Sequence, residues 1–359
     1  ADERTAGREE EPSVMKGPLG SFRLWFQLFA TAGFFVLLAW RVDIGEALRT
    51  LPEAKWAWVL PGLVIYTASK AVHTLRWRIF LGLHRKLPYS GLLGIFLIHN
   101  MANAVLLLRA GDILRIQTTS QRYGISRSEL TATVIVVETL LDGLAFVCLV
   151  AIAFSLGAIP TVLEATFWTM AGLALFGLAL GVAAARFMKA EGLERHYLLR
   201  WLSADALRSV KGAVEQFVFG LRALRESKLA IPAMALSLIA WMMEGISFWF
   251  FGQAFGLGLD LPMYLLIMMT ANFAVSIPVT PSGIGPFEVA TQELVVLLGA
   301  ERAVAAGFAI GTHLCLIIWV TLTGLVAMWM MQLTPNDVFY LSRDDPEPEP
   351  EPQTQPGAS

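Results

Sequence analysis

Long apolar stretches alternate with short polar or basic stretches along most of this 359-residue chain. A helix needs about 20 predominantly apolar residues to cross a bilayer, and six stretches have about that length. The six predicted transmembrane helices lie at residues 24–40, 56–81, 128–156, 166–185, 229–255 and 303–333. This pattern predicts an all-α polytopic membrane protein.

Two other apolar stretches are each interrupted by a short polar break. Residues 90–125 break at the segment RAGD, and residues 262–300 break at the segment PVTPSGIGPFE. Basic flanks favour the cytoplasmic side, and the first stretch has basic flanks at both ends, so it has not crossed. Irregular backbone at membrane depth is tolerated only where it is buried in protein or lines a water-filled cavity. Both stretches are therefore predicted to be re-entrant helical hairpins.

The order of these elements repeats along the chain. Residues 56–156 form one predicted unit of a span, a hairpin and a span. Residues 229–333 form a second unit of the same order, which enters the membrane from the opposite side. The order is compatible with an inverted repeat of broken helices that meet near the midplane, as in many secondary transporters. An alternative topology has residues 90–109 as a full span and eight spans in total.

Three segments outside the apolar stretches are polar. Residues 1–22 and the Pro/Glu-rich tail at 336–359 have no apolar core and are predicted to be disordered. Residues 186–228 are rich in Lys and Arg and have apolar positions at helical spacing, which predicts a cytoplasmic amphipathic linker. A single transmembrane domain then covers residues 23–335. With six spans both termini are cytoplasmic, and we expect a multi-pass protein of the inner (plasma) membrane.

Composition argues against other classes of protein. Hydrophobic residues make up 56% of the chain and charged residues only 16%, against roughly 25% charged residues in soluble domains. The basic residues lie in loops, so no nucleic-acid partner is expected. Cys148 and Cys315 lie in separate apolar stretches and are predicted to be small buried hydrophobes. No HExxH, nucleophile-elbow or diphosphate motif is present, so we expect no enzyme activity, metal or cofactor.

Polar side chains inside the apolar stretches are the candidate functional residues, because ionisable groups at membrane depth usually face a bundle interior or a wet cavity. The ionisable candidates are Arg76, Arg109, Asp112, Arg115, Glu138, Asp142, Glu244, Glu288 and His313. The other candidates are Asn103, Asn272, Pro281, Gly283 and Gly285. Lys70 and His73 either line a cavity or anchor their helix at the cytoplasmic side.

The residues around the first break suit an anionic ligand. Arg109 and Arg115 could clamp a phosphate with their planar donor forks, or Asp112 could simply neutralise them. The helix starts predicted at Asp112 and Pro286 also offer backbone N–H groups to an anion. These features predict a substrate-binding site for an anionic head group.

Glu138 and Asp142 lie one helical turn apart on one face. They either pair with the arginines or carry a coupling proton, and we expect one to be structural and the other functional. Glu244 and His313 are similar candidates within the membrane. The glycines of the second break are expected to serve a sharp turn rather than a nucleotide.

Four motifs, taken in order, resemble one known family. They are Arg76-Trp77; Asn103, Arg109, Gly111, Asp112 and Arg115; Glu138 and Asp142; and Pro278, Pro281, Gly283, Gly285 and Glu288. Over about residues 20–335 the chain resembles the flippase-like integral membrane family named for the lysylphosphatidylglycerol synthase transmembrane region. Family members commonly have Pro before the first break and Arg after the first acid, where this chain reads Leu-Leu-Leu-Arg and has Thr139.

The resemblance implies a transporter that moves a lipid or a lipid-linked head group between leaflets through a polar cavity. The expected partner is a membrane lipid: an anionic or aminoacylated phospholipid, a polyprenyl-linked sugar or a hopanoid. A homo-oligomer is left open, and lysyl-lipid synthesis is not expected because no aminoacyl-transferase domain follows the last span. The alternatives are a non-transporting scaffold for a lipid- or envelope-biosynthesis enzyme and an integral-membrane enzyme that modifies lipids.

Overall fold

The computed structural model describes residues 45, 49–81, 87–106, 110–156, 161–187, 211–212, 215, 218–219, 226–276 and 280–333. Arg109, the predicted first span and most of the predicted linker lie outside these residues, as do both predicted disordered termini. The described part includes two short 3-10 helices, Leu51–Glu53 and Trp56–Trp58, directly before the first long helix.

Every regular element in the described part of the chain is a helix, which confirms the predicted all-α class for these residues. The helices are α1 (Val59–Leu81), α2 (Tyr89–Val105), α3 (Ala110–Tyr123), α4 (Arg127–Ser155), α5 (Thr161–Phe187), α6 (Ser227–Ala254), α7 (Leu261–Ser276), α8 (Pro286–Leu297) and α9 (Arg302–Met330). A further 3-10 helix, Pro281–Gly283, lies between α7 and α8.

Length and composition make three of the described helices candidate membrane spans. They are Arg127–Ser155, Lys228–Ala254 and Arg302–Met330. Each has at least 27 residues, which is about 40 Å of helix and exceeds the ~30 Å hydrocarbon core. α1 has 23 residues but carries Lys70, His73 and Arg76, whose side chains are buried inside the protein. The chain is a multi-pass helical membrane protein.

α2 and α3 form the first helix–break–helix hairpin, and the chain reverses between Val105 and Ala110. Asn103 Oδ1 accepts the Gly111 N–H at 2.9 Å, which joins the last turn of α2 to the first turn of α3. The arms contain 17 and 14 residues, or about 25 and 21 Å at 1.5 Å per residue. Both arms are shorter than the hydrocarbon core of about 30 Å.

α7 and α8 form the second hairpin, with arms of 16 and 12 residues. Its break uses left-handed backbone, with φ of 55° at Ser282, 75° at Gly283 and 96° at Gly285. Glycine adopts these angles without strain, whereas Ser282 is strained there. Glu288 Oε2 accepts the Gly285 N–H at 2.6 Å and caps the start of α8. The two glycines thus have the backbone angles of the predicted sharp turn.

The two halves of the chain pack into each other. α1 packs along α6, and α2 packs along α9, so helices of the first half contact helices of the second half. The 3-10 helix Pro281–Gly283 contacts α2, so the break of the second hairpin meets the first hairpin. Glycines permit the close approach of these helices: Gly62 faces Phe251 across α1 and α6, and Gly324 faces Met101 across α9 and α2.

α4 contains a wide turn just before its two acids. Ser126 Oγ accepts the Glu129 N–H at 3.2 Å and caps the start of the helix. Ala132–Val137 then form a π-helix, and α-helical geometry resumes at Glu138. π-turns are rare and occur frequently at functional sites. This turn sets the direction in which Glu138 and Asp142 leave the helix.

Candidate functional site

A cavity of about 880 Å³ lies between the two hairpins and α1, α4, α6 and α9. Ligand sites commonly have volumes of about 300–1,000 Å³. Its polar lining residues are Tyr66, Lys70, His73, Arg76, His99, Asn100, Asn103, Asp112, Arg115, Glu138, Thr139, Asp142, Asn272, Ser276, Thr280, Ser282 and His313. Its apolar and aromatic walls include Phe96, Val134, Phe146, Trp241, Phe248, Phe273, Leu316 and Val320.

Glu244 of α6 gathers the polar side chains of α1 at one end of the cavity. Its Oε1 lies 2.6 Å from Lys70 Nζ and 3.3 Å from His73 Nε2. Ser69 Oγ donates to the same oxygen at 3.1 Å. Lys70 Nζ also lies 4.1 Å from the ring centroid of Tyr66, a cation–π distance. The contacts join α1 to α6 through fully buried polar groups.

Arg76 joins three helices. Its Nη1 donates to Asp142 Oδ1 and to Ser237 Oγ, and its Nη2 lies 3.3 Å from Asp142 Oδ2. Trp241 Nε1 donates to Asp142 Oδ1 at 2.8 Å. Glu138 Oε2 lies 3.7 Å from Arg76 Nη2. α1, α4 and α6 are therefore tied together at the Asp142 carboxylate.

Arg115 of α3 forms a two-pronged ion pair with Glu138, with N···O distances of 2.9 and 2.8 Å. The guanidinium carbon lies 3.8 Å from the ring centroid of Trp77 and 4.7 Å from that of Phe96. Such stacking on aromatic faces suits the planar guanidinium. The Arg76-Trp77 motif thus serves two ion pairs: Arg76 binds Asp142, and Trp77 packs on Arg115.

We term these six charged side chains the ion network: Lys70, Arg76, Arg115, Glu138, Asp142 and Glu244. Three are basic and three are acidic, so the network is neutral, as burial requires, because an unpaired buried ion costs several kcal/mol. The Asp142 side chain is 24% exposed, whereas those of Arg76 and Arg115 are 2% exposed. The cavity surface therefore presents carboxylate oxygens more than guanidinium groups.

The first arms of the two hairpins present matching asparagines to the cavity. Asn100 Nδ2 in α2 donates to Phe96 O at 2.7 Å, and Asn272 Nδ2 in α7 donates to Met268 O at 2.9 Å. In both cases the acceptor is the carbonyl four residues earlier. Each asparagine is the twelfth residue of its helix, which supports the correspondence between the two hairpins.

Two further acid–histidine contacts border the breaks. His99 Nδ1 lies 3.4 Å from Asp112 Oδ1 at the first break, where the Asp112 side chain is 24% exposed. At the second break His313 Nδ1 lies 2.6 Å from Glu288 Oε1, and His313 Nε2 lies 3.2 Å from Ser282 O. Both side chains of the second contact are nearly buried, with exposures of 5% and 8%.

Most of the candidate residues from the sequence come together here. Those that line the cavity are Arg76, Asn103, Asp112, Arg115, Glu138, Asp142, Asn272, Gly283 and His313. Glu244 and Glu288 lie directly behind lining residues, while Pro281 and Gly285 shape the second break. Lys70 and His73 also line the cavity, the first of the two roles considered for them.

The structure changes the expected chemistry at three positions. Arg115 uses both terminal nitrogens on Glu138 and is not an open phosphate clamp. Asp112 contacts His99, whereas Arg115 forms its ion pair with Glu138 on α4. The N–H groups of Gly111 and Gly285 at the two helix starts are bound by Asn103 and Glu288 rather than left for a ligand. The other proposed clamp residue, Arg109, lies outside the described residues.

Several residues of the site were not singled out from the sequence. They are Tyr66, His99, Asn100, Thr139, Trp241, Thr280 and Ser282. A sequence signal existed for α2, because His99, Asn100 and Asn103 recur at the spacing of one helix face. Trp241 and Thr280 carried no such signal. Among the described residues no cluster of three or more His, Cys, Asp or Glu side chains has the geometry of a metal site.

The fold and site define a polytopic helical membrane protein with a charged cavity enclosed by two broken-helix hairpins. Residues 24–324 match the family described as lysylphosphatidylglycerol synthase TM region, and the chain belongs to that family. This confirms the family inferred from the four motifs.

A comparison with curated proteins found similarity to a protein named Glycosyltransferase AglD from Haloferax volcanii. The two are 28% identical over 326 residues, which cover 80% of this chain and 51% of that protein. The chain thus spans about half the length of this relative.

Proposed function

We propose that the protein moves a lipid or a lipid-linked head group between the leaflets of the membrane through the cavity. The observation that carries this proposal is a neutral ion network with one partly open carboxylate, Asp142, set in apolar walls between the two hairpins. Ionisable groups inside membrane proteins mark pathways for polar cargo.

The size and walls of the cavity support a lipid as cargo. A volume of about 880 Å³ suits a head group, while the acyl or prenyl tails stay in the surrounding hydrocarbon. The polar lining would replace the water around the head group, and walls such as Phe146, Phe248 and Leu316 would contact the first tail carbons. The cargo crosses the apolar core with its polar part enclosed.

The chemistry of the lining favours a head group that donates hydrogen bonds. Asp142 and Asp112 are the most open charged groups, and the asparagine amides add further acceptors. Hydroxyl or amine groups on the cargo would bind these acceptors. Lys70, whose side chain is 11% exposed, is the most open cation of the network and would face an anionic phosphate linkage.

The names of the family and of the similar protein fit this class of cargo. The family name refers to an aminoacylated phospholipid, and the similar protein from Haloferax volcanii is named as a glycosyltransferase. Both names support a role in lipid or glycan processes. We propose an aminoacylated or sugar-bearing lipid, with its phosphate as the anionic part, as the cargo.

The arrangement of the helices supports an alternating-access mechanism. Two hairpins with corresponding asparagines approach the same cavity from different halves of the chain. Inverted repeats with broken helices at the binding site are a common plan among secondary transporters. We propose that both hairpins are re-entrant, that both termini are cytoplasmic, and that the protein resides in the inner membrane.

The first test is the lipid that co-purifies with the detergent-extracted protein, identified by mass spectrometry. Wild type should enrich one lipid class, and Asp142→Asn should reduce the enrichment about tenfold or more, since a hydrogen bond to a charged group contributes about 1.5–3 kcal/mol. Glu293→Gln is the matched control, because Glu293 forms an exposed ion pair with Arg302 far from the cavity lining. Equal enrichment in all three proteins, or none in wild type, would contradict the proposal.

A second test separates transport from the alternatives. Wild type in phosphatidylcholine vesicles with fluorescent phosphatidylglycerol should raise the fraction of label that an external quencher reaches, relative to protein-free vesicles. A chemically altered lipid in the extract would favour an integral-membrane enzyme instead. If cells that carry Asp142→Asn keep full lipid or envelope biosynthesis, that result would favour a scaffold.

A further inference from the structure

The two contacts of the His313 ring indicate which of its nitrogens carry a hydrogen. The Nε2 atom lies 3.2 Å from the carbonyl oxygen of Ser282, which only accepts, so we assign the tautomer with hydrogen on Nε2. The Nδ1 atom faces Glu288 Oε1 at 2.6 Å. A neutral imidazole with hydrogen on Nε2 has a lone pair on Nδ1, which a carboxylate oxygen would repel.

The contact of 2.6 Å therefore requires one more proton between Nδ1 and Oε1. The proton resides either on the imidazole, which makes an ion pair, or on the carboxyl group of Glu288. In both forms the pair is neutral, as its burial requires. Loss of that proton would leave a net negative charge in a nearly sealed site and two lone pairs in contact.

In the described part of the chain, no other cation lies in ion-pair contact with Glu288 to neutralise it if this proton is lost. The ring of Phe287 stacks on His313 with a centroid distance of 4.0 Å and contributes no charge. Among the described residues Glu288 is the one acid in ion-pair contact with His313, and no Lys or Arg forms an ion pair with Glu288. The other ionisable groups around the cavity are engaged elsewhere: Lys70, His73, Arg76, His99, Asp112, Arg115, Glu138, Asp142 and Glu244. On α8 and α9 themselves, Glu293 pairs with Arg302 at the surface.

The pair also holds the second break in shape. His313 binds the carbonyl of Ser282, and Glu288 binds the N–H of Gly285, so the two side chains connect both ends of the turn to α8 and α9. Ser282 has a φ of 55°, a left-handed angle that a serine keeps only when its surroundings impose it. Repulsion between His313 and Glu288 would release both anchors.

We propose that Glu288 and His313 form a proton-binding site that controls the conformation of the second hairpin break. With the proton bound, the break is pinned as described. When the proton leaves to water in the cavity, the pair separates and Ser282 and Gly283, which line the cavity, move. His313 and Ser282 both border the cavity, so a proton reaches the site from that side.

This proposal rests on the proposed function in one respect: a transporter whose cavity changes shape with proton release couples cargo movement to a proton gradient. The proton moves between water and the pair without any covalent step. Nothing else about the cargo enters the argument.

The first experiment follows the break itself and does not depend on transport. Ser282→Cys is made in a chain with Cys148→Ala and Cys315→Ala, and its rate of reaction with a small water-soluble thiol reagent is measured against pH. Thr139→Cys, exposed in the same cavity on α4, corrects for ionisation of the thiol. The ratio of the two rates should rise with pH, because loss of the shared proton releases the break.

Glu288→Gln provides the decisive comparison. Its amide N–H would donate permanently to Nδ1 while its amide oxygen still accepts from Gly285, so the break should stay pinned and the rate ratio should not change with pH. His313→Gln should also abolish the pH dependence, because the shared proton no longer exists. A ratio that does not change with pH in the parent chain, or an unchanged pH dependence in Glu288→Gln, would overturn the proposal.

The second experiment tests coupling in the phosphatidylcholine vesicles with fluorescent phosphatidylglycerol. A pH gradient should accelerate translocation by wild type and leave Glu288→Gln unaffected. A gradient that accelerates both proteins equally would overturn the coupling. If wild type moves no lipid but the thiol ratio still depends on pH, the proposed function fails while the proton site stands.

Discussion

Trp77 shows how neighbouring residues in the sequence take separate parts in one site. Its ring packs on the guanidinium of Arg115, while Arg76, one position earlier, reaches Asp142 on another helix. Consecutive side chains on a helix point about 100° apart, so the two residues serve two ion pairs at once. Lys70 lies on the same helix as Arg76, whereas the other members of the ion network come from α3, α4 and α6. A substitution at either residue therefore affects more than one helix contact.

Arg115→Gln should destabilise the protein strongly, because it leaves Glu138 as a buried charge without its two-pronged partner. Such changes cost about 3–5 kcal/mol, and the nearby Arg76, 3.7 Å from Glu138, places the effect towards the lower end. The double variant Arg115→Gln/Glu138→Gln should recover most of the loss, since neither amide is charged. Thermal unfolding of the detergent-solubilised protein measures both.

Arg302→Gln is the control for that prediction. Arg302 pairs with Glu293, but its side chain is 51% exposed, and exposed pairs contribute about 0–1 kcal/mol. If Arg115→Gln melts at the same temperature as Arg302→Gln, the Arg115–Glu138 pair is not a buried structural contact.

The charged residues of the ion network could be read from the sequence, but their pairing could not. Glu138 and Arg115 are conspicuous because charged groups in apolar stretches are costly. Which cation meets which acid depends on the packing of α1, α3, α4 and α6, and sequence spacing carries no such information. For the same reason the sequence left two roles open for Asp112, and the contact of Asp112 with His99 could not be predicted.

At the scale of the elements, the two hairpins depend on close contact between their arms. In the first hairpin the N–H of Gly111 meets Asn103 Oδ1 at 2.9 Å, next to the backbone oxygen of His99. In the second, the turn uses three positive φ angles. The breaks were visible in the sequence as polar interruptions with glycine. The π-helix before Glu138 was not, because a stretch of Ala, Thr, Val and Ile fits a regular helix equally well.

Gly111→Ala should open the first hairpin. Its new methyl group would lie 2.6 Å from Asn103 Oδ1 and against the carbonyl oxygen of His99, which belongs to the backbone and cannot rotate away. Overpacking of this kind costs about 1–3 kcal/mol. We expect a lower unfolding temperature and loss of co-purified lipid.

Gly172→Ala on α5 is the matched control for this substitution, because no atom of the described residues lies within 4 Å of the added methyl group. It should be neutral or stabilise the helix by up to about 1 kcal/mol. Equal unfolding temperatures for the two variants would show that the arms of the hairpin are not in tight contact.

At the scale of the whole molecule, the number of spans depends on how deep the hairpins reach. Their arms are shorter than the hydrocarbon core, and the second break contacts α2 of the first hairpin. These observations support re-entry, as charge counting of the flanks also does. A helix pair that spans fully would place its turn in bulk water.

The position of Leu106 tests this topology. Leu106 lies at the first break and lines the cavity. In permeabilised cells that carry Cys148→Ala and Cys315→Ala, Leu106→Cys should react with a small thiol reagent but resist a bulky polyethylene-glycol maleimide. Asp260→Cys, in the exposed loop before α7, should react with both. A Leu106→Cys protein that accepts the bulky reagent would support eight full spans.

The neutrality of the ion network has an electrical consequence. A membrane voltage does about 2.3 kcal/mol of work per elementary charge for each 100 mV that the charge crosses. Because three basic and three acidic side chains would move together, the voltage does almost no net work on them. The network can therefore change position within the field without contributing a current. Any current measured during turnover would report the charge of the cargo and of its companion ions alone.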